Sequence, residues 1–269
     1  MQRWWMVVIV VIGAVGGGMI GGCEDVTGPR ETSWMMPLDS GNWWEYEWVA
    51  GSLDTLKFTK RVRIEVAGWR RVDGRSAAMV VWRWQSEGGE FRDTVFWEER
   101  NGQLWEERRR WGRVFMDEGL GWGAQVRWLP VADFGKPGWE YREQLRDLDT
   151  LEMVFVDGRG DTTAVAKMVA EGAEYGARYE GREEIGFADT SAVAVRYRCG
   201  MRVKYTTYGL GTREYRGCEG QWLWIWVVRG IGIVQFQMAD DRSWEFVTDY
   251  EPCEPGDPVR WRLRRYSIR

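Results

Sequence analysis

Hydrophobic and polar residues alternate along most of the chain beyond residue 35. The clearest stretch runs from Val193 to Tyr205, where apolar side chains at every second position are set against arginine, lysine and alanine. The same period of two occurs at 44–48 and at 56–66. Because successive side chains of an extended strand point to opposite faces, these segments predict long strands with one face in solvent.

Further strands are predicted between turn sequences that pair glycine with Asp, Asn or a second glycine, at 72–74, 87–89, 101–102 and 157–160. These strands lie near residues 77–84, 91–99, 103–108, 112–116, 124–129, 139–146, 151–156, 162–170, 174–181 and 243–250. No segment beyond residue 23 carries a helical stripe over three turns; Ala164–Tyr175 comes nearest and fits a strand equally well. The pattern predicts one antiparallel all-β domain over residues 36–269 with little helix, a size common for such domains.

One segment, residues 221–228, is apolar on both faces and contains Trp222, Trp224 and Trp226. A strand of this kind is covered on both sides, so we expect it at the centre of the sheet, with its tryptophans in the core or a concavity. Glycines at 230 and 232 follow and favour a bend, a bulge or the close approach of a neighbouring backbone.

The first 22 residues are typical of an export signal, with Arg3 followed by an apolar run that is short for a spanning helix. The run ends in Ile20-Gly21-Gly22-Cys23, which resembles the lipobox of bacterial lipoproteins. That resemblance implies cleavage before Cys23 and lipidation of its thiol, with residues 23–35 as a polar tether. The alternatives are an ordinary signal peptide and an N-terminal membrane helix. Lipidation predicts a membrane-anchored protein on the periplasmic side of a membrane or on the cell surface.

Two motifs resemble those of uncharacterised bacterial lipoproteins. Residues 36–46, Met-Pro-Leu-Asp-Ser-Gly-Asn-Trp-Trp-Glu-Tyr, resemble their P-L-x-x-G-N-x-W-x-Y opening, and residues 230–234, Gly-Ile-Gly-Ile-Val, resemble their G-V-G-L-V closing strand. Residues 181–195 are similar to an intervening segment, except that Phe-Ala-Asp-Thr-Ser stands where that segment has Pro-Ala-Gly-Thr-Phe. The resemblance implies a large, strongly curved antiparallel sheet, similar to the half-barrel of lipoprotein-localisation (Lol) carriers, and assigns no catalytic residue.

Composition removes several function classes. The chain has no histidine, which excludes Ser-His-Asp triads, Cys-His dyads and HExxH zinc chemistry. A formal net charge of −4 disfavours nucleic-acid binding, and the basic clusters at 108–110 and 260–265 fit solvated strand faces. Adjacent acids such as Glu183 and Glu184 point to opposite faces of a strand rather than across a cleft. We therefore expect no enzyme, no metal and no cofactor.

Three cysteines lie beyond Cys23, without a CxxC or zinc-ligand spacing. Cys199 lies on the apolar face of its strand and is predicted to be a buried small hydrophobe. Cys218 and Cys253 have loop-like surroundings and are the favoured disulfide pair in an oxidising compartment, against 199–218 and 199–253.

Tryptophan is the remaining functional signal, because the chain contains 20 of them. Indole rings can line an apolar concavity, or they can stand on a surface and stack on sugar rings. The candidates for ligand lining are Trp222, Trp224, Trp226, Trp44, Tyr46 and Trp48, and those for exposure are Trp43, Trp69, Trp105, Trp111 and Trp122. The first hypothesis is thus binding of a hydrophobic ligand or an envelope protein partner in a concave sheet, and the alternative is a carbohydrate-binding or adhesive surface lipoprotein.

Overall fold

The computed structural model describes residues 8–10, 35–50, 61–86, 89–107, 128–145, 151–156, 162–208, 215–242 and 259–268. Their strands are β1 (Val8–Val10), β2 (Trp43–Ala50), β3 (Arg61–Val72), β4 (Arg75–Ser86), β5 (Gly89–Arg100), β6 (Gln103–Glu107), β7 (Trp128–Asp133), β8 (Glu140–Leu145), β9 (Leu151–Val156), β10 (Thr162–Phe187), β11 (Thr190–Tyr208), β12 (Tyr215–Val228), β13 (Gly232–Arg242) and β14 (Val259–Ser267). The described ranges contain no helix, and so none that could cross a membrane.

All these strands join into one antiparallel sheet, which confirms the predicted fold class. The order is β1-β9-β10-β11-β12-β13-β14-β2-β3-β4-β5-β6-β7, and β8 pairs with β10 farther along the edge that β9 occupies. The strand β12 lies between β11 and β13, so the doubly apolar segment is central as predicted. The separate strands expected at 162–170 and 174–181 are parts of one long strand, β10, with a register shift between Ala170 and Gly172.

Local sequence explains the hairpin turns. The turn between β3 and β4 has Asp73 and Gly74 at φ values of 47° and 77°, and Asn101 and Gly102 between β5 and β6 have 54° and 75°. Asp-Gly and Asn-Gly favour two-residue turns of this kind, whose positive φ values match the twist of the flanking strands. The strands expected at 112–116 and 243–250 lie outside the described residues.

The sheet is so strongly curved that side chains on its inner face contact one another across the interior. Phe236 on β13 lies 5.5 Å from Trp82 and 6.2 Å from Trp84, measured between ring centroids, although four strand-to-strand steps separate β13 from β4. The edge strand β7 lies against β10 and β11. The Tyr175 and Tyr197 hydroxyls donate to the β7 carbonyl oxygens of Pro130 (2.9 Å) and Asp133 (2.7 Å). The result is a strongly curved, nearly closed barrel whose seam is bridged by tyrosine side chains.

The opening and closing motifs pack together at one end of this barrel. Trp44 donates from Nε1 to the Ile231 carbonyl at 2.6 Å, and the Tyr46 hydroxyl donates to the Ile233 carbonyl at 2.8 Å. Gly232 lies between them with φ of +93°, and a Cβ there would come within 3.3–3.4 Å of Met36, Trp44 and Pro37. The close approach is therefore made by side chains at Gly232 rather than by a neighbouring backbone, and a Cβ at Gly230 would meet nothing within 4 Å. A register shift between β12 and β13 beside these glycines fits the expected bulge.

The short strand β1 pairs with β9 at the edge of the sheet. Its residues belong to the predicted signal peptide, so cleavage before Cys23 would remove β1 and leave β9 as the edge strand.

Candidate functional site

The inner face of the sheet is filled with aromatic side chains. Trp44, Tyr46, Trp84 and Trp261 are at most 1 % exposed, and the last three contact Phe236, which stacks on Trp261 with ring centroids 5.1 Å apart. Desolvation by this packing raises the pKa of Tyr46 well above its ordinary value, so the phenol stays neutral. Two of the candidates for ligand lining, Trp44 and Tyr46, are therefore components of the packed core.

The tryptophans of β12 lie on the other, outer face. On β12 the buried Leu223 and Ile225 are paired with Cys199 and Tyr197, whose side chains belong to the core. Successive side chains alternate between faces, so the indoles at 222, 224 and 226 point away from the concave interior. The expected interior position is corrected for Trp222 and Trp224, because pairing with core residues of β11 decides which face of this doubly apolar segment turns inward. Trp226 belongs to the buried hydrophobic cluster, as expected.

Two indoles of this row are in contact with side chains from neighbouring strands. Trp226 is 3 % exposed and donates from Nε1 to the Glu183 carboxylate, and the guanidiniums of Arg196 and Arg260 lie 6.0 and 5.9 Å from its ring centroid. The end of the β10–β11 hairpin covers it, and that hairpin reaches β14 through a bond from the Ala188 amide to the Leu263 carbonyl (3.1 Å). Trp224 is half-buried, with the Arg198 guanidinium 6.0 Å from its ring centroid. Such cation–π contacts are modest but favourable.

Trp222 lines an open groove of about 240 Å³ on the outer face. The groove has no side chains at its centre because Gly176 on β10 is paired with Gly200 on β11, and Gly200 is paired with Trp222. Polar side chains of β8, β10 and β11 flank this glycine pair. The charged residues of the lining are Glu140, Arg142, Glu174, Arg178, Arg198 and Arg202.

Ion pairs hold the charged side chains of the groove in place. Arg142 contacts Glu140 at 2.7 Å, and Arg202 contacts Glu174 at 3.2 Å. Hydrogen bonding to Glu140, followed by the charge of that residue, raises the pKa of Arg142, so its guanidinium stays protonated.

One carboxylate beside the groove, that of Glu180, forms ion pairs with three arginines. Glu180 lies 2.9 Å from Arg178, 3.3 Å from Arg196 and 3.4 Å from Arg198. Arg196 also contacts Glu183 at 3.5 Å, so three guanidinium groups meet two carboxylates on the arginine-rich side of the groove.

The remaining tryptophan candidates occupy different environments. Trp48 is 37 % exposed near the end of β2. Trp43 is half-buried with the Arg63 guanidinium 4.4 Å above its ring, and Trp69 donates to the Leu38 carbonyl at 2.9 Å. Trp105 is half-buried with the Arg75 guanidinium 5.5 Å from its ring centroid. Trp111 and Trp122 lie outside the described residues.

Of the cysteine predictions, the described residues test only the one for Cys199. Cys199 is 1 % exposed in the core, as predicted. Cys23 and Cys253 lie outside the described residues, and of Cys218 the structure describes only the backbone, in β12. The lipidation of Cys23 and the pairing of Cys218 with Cys253 therefore stay predictions.

Buried carboxylates within the described ranges have structural partners. Glu106 accepts a hydrogen bond from Trp97 Nε1 at 2.9 Å, and Asp133 accepts from Gln103 at 2.8 Å and from the Gly135 amide at 3.0 Å. In the same ranges no three Cys, Asp or Glu side chains come together in a group that could hold a metal ion.

Comparison with known proteins adds two distant likenesses. No family model matches the sequence, and no curated protein does. Among solved structures, a "putative lipoprotein" from Parabacteroides distasonis ATCC 8503 is similar with a TM-score of 0.43 and 9 % identity, over 88 % of this chain and 100 % of that one. A "putative exported protein with YmcC-like fold" from Bacteroides fragilis NCTC 9343 is similar with a TM-score of 0.38 and 10 % identity, over 87 % and 99 %.

Proposed function

We propose that this chain is a lipid-anchored protein of the cell envelope that binds a saccharide on the outer face of its sheet, without catalysis. The observation that carries the proposal is the outer groove, where Trp222 stands beside a floor made by Gly176 and Gly200. An indole next to an open, polar-walled depression suits the apolar face of a sugar ring, whose hydroxyl groups would meet the charged walls.

The inner face supports binding of a hydrophobic ligand less well. A ligand site needs volume, and the aromatic side chains that face the interior from β2, β4, β13 and β14 contact one another, mostly edge to face, at ring-centroid distances of 4.9–6.2 Å. Interiors packed in this way hold few voids larger than a water molecule. Entry of an acyl chain would require these rings to move apart.

The carboxylates favour a binding protein over a glycosidase. In the groove, Glu140 and Glu174 each form an ion pair with an arginine. Glycoside hydrolysis needs two carboxyl groups directed at the scissile bond, and these two are directed at arginine side chains instead.

Lipid anchoring gives the first test. With Cys23 replaced by alanine, the protein is expected to lose its acyl mass and to leave the membrane fraction, because the thiol that carries the lipid is gone. Intact-mass analysis and membrane fractionation of the bacterial cells measure both effects, with Cys199→Ala as the control that keeps Cys23. Retention of the Cys23→Ala protein in the membrane after a carbonate wash would contradict the anchor.

Saccharide binding gives the second test. The Trp222→Ala full-length protein, solubilised in detergent, is expected to bind polysaccharides about tenfold more weakly than the unchanged protein, equivalent to about 1.4 kcal/mol. Affinity electrophoresis against dextran, cellulose fragments and polygalacturonate measures the loss. Trp43→Ala is the matched control, since it removes a half-buried outer-face indole that lies away from the groove. Absence of binding to all three polymers, together with tight binding of a fatty acid, would favour the concave-face hypothesis instead.

A further inference from the structure

We infer that the groove over Gly176 and Gly200 recognises a carboxylated sugar, a hexuronate unit within an acidic polysaccharide. This inference rests on the saccharide-binding function proposed above and specifies its substrate class. It is carried by the juxtaposition of three features in one place: a floor without side chains, an aromatic wall and a surplus of guanidinium groups.

The floor sets the size and position of the ligand. Gly176 and Gly200 face each other across β10 and β11, and the next position along this row is Trp222 on β12. Neighbouring strands lie about 4.8 Å apart, so the half-buried Gly176 leaves room for part of a sugar ring in the outer layer of side chains, beside the buried Gly200. A ring that settles there has the indole of Trp222 at one side.

The walls set the charge of the ligand. Four guanidinium groups, those of Arg142, Arg178, Arg198 and Arg202, line the groove with Glu140 and Glu174, and Glu180 beside it pairs with two of them. Four positive charges thus meet three negative ones, although the whole chain has a formal net charge of −4. The positive charge of the groove is therefore a local property of this surface. An anionic ligand is attracted electrostatically by this positive charge, whereas a neutral sugar is not.

The geometry of the arginines favours a carboxylate. Arg142 and Arg178 each use two nitrogen atoms in contacts with a neighbouring glutamate, while a guanidinium carries five N–H donors in a planar fork. The side chains of Arg142 and Arg178 are 67 % and 45 % exposed, so further donors reach solvent. Planar, two-pronged recognition of this kind matches the two oxygens of a uronate.

A glycine substitution on the floor provides the sharpest test. A Cβ at Gly176 would meet only the Tyr141 carbonyl oxygen, at an ordinary distance of 3.8 Å, and the backbone there has no positive φ. Gly176→Val therefore fits the strand, gains β propensity and fills the groove from below. Gly172→Val is the matched control, because a Cβ at Gly172 meets nothing within 4 Å and the residue lies on the same strand outside the groove lining.

The measurement is the affinity of the full-length protein in detergent for polygalacturonate, alginate and hyaluronate, each compared with its methyl ester. We expect at least tenfold tighter binding of one acid form than of its ester, weakening as salt rises from 50 to 500 mM because the attraction is electrostatic. Gly176→Val is expected to weaken this binding at least tenfold, and Gly172→Val to leave it within twofold. Thermal unfolding of both variants checks that neither is destabilised.

An arginine variant separates charge from shape. Arg178→Gln is expected to weaken binding of the acid form about five- to tenfold and binding of the ester hardly at all. Arg92→Gln is its control, since Arg92 is a 62 % exposed arginine paired with Glu90 outside the groove lining.

Each other outcome overturns a defined part of the proposal. Equal binding of acid and ester forms would overturn the preference for a uronate and leave saccharide binding in place. Unchanged affinity in Gly176→Val would remove the groove as the site. Failure of the protein to bind any of the acid forms or their esters, or the neutral polymers of the Trp222 experiment, would overturn both this inference and the proposed function.

Discussion

Replacing Phe236 with alanine is expected to lower the free energy of unfolding by about 3–5 kcal/mol, the usual range for a large buried aromatic side chain. Phe236 is fully buried and contacts aromatic rings from both sides of the curl, namely Trp261 and Tyr46 nearby and Trp82 and Trp84 across the interior. Alanine would leave a cavity at the place where the inner faces of the sheet meet, because the surrounding rings can close it only in part.

Chemical denaturation followed by far-ultraviolet circular dichroism measures this loss. Tyr266→Ala is the control, because Tyr266 is an aromatic residue on the neighbouring strand β14 that is 37 % exposed; its loss should cost less than about 1 kcal/mol. A Phe236→Ala protein within about 1 kcal/mol of the original would mean that the contact between β13 and β4 contributes little to holding the curl.

Replacing Gly232 with alanine is the second large effect, with an expected loss of about 2–4 kcal/mol from two sources. The φ of +93° is strained for any residue with a Cβ, and the new methyl group would press against Met36 and Trp44 at 3.3 Å. The substitution would push apart the segments that close this end of the barrel.

A matched glycine separates the two sources. Gly74 has a similar positive φ of +77°, and a Cβ there meets nothing within 4 Å. Gly74→Ala should therefore cost only the backbone strain, about 1 kcal/mol, and the difference between the two variants in denaturant midpoint reports the packing of Gly232 against Met36 and Trp44. Equal losses at the two glycines would show that this packing is unimportant.

Local features of the fold were predictable because they depend on neighbours in sequence. The alternation at 193–205 correctly gives the buried face of β11 at Tyr197, Cys199 and Met201. It is wrong at the end next to the hairpin turn, where Val193 is 63 % exposed and Ala194 is buried. The Asp-Gly and Asn-Gly turns are likewise encoded by the residues that adopt them. The glycines at 230 and 232 predict a bend, a bulge or a close backbone approach, but the sequence does not show that side chains, those of Met36, Pro37 and Trp44, make the contact at Gly232.

The outer groove could not be predicted from the sequence, because it depends on pairing between strands. Gly176 and Gly200 are unremarkable in sequence, and only the β10–β11 register places them opposite each other. The sequence predicts Trp222 as a ligand candidate, but its strand has no alternation of its own to indicate a face. The available signal lay on the neighbouring strand, where Arg198 and Arg202 alternate with core residues and thus mark the face that β12 shares with them.

The packing of Met36 at the end of the barrel limits where the groove can act. With Cys23 lipidated, the linker of residues 23–35 can extend roughly 45 Å at most before it reaches this fixed point. Trp222 lies six residues from the end of β12 at Val228, or about 20 Å along the strand. If the anchor and the saccharide site are both as proposed, a polymer held in the groove would therefore stay within about 65 Å of the bilayer surface.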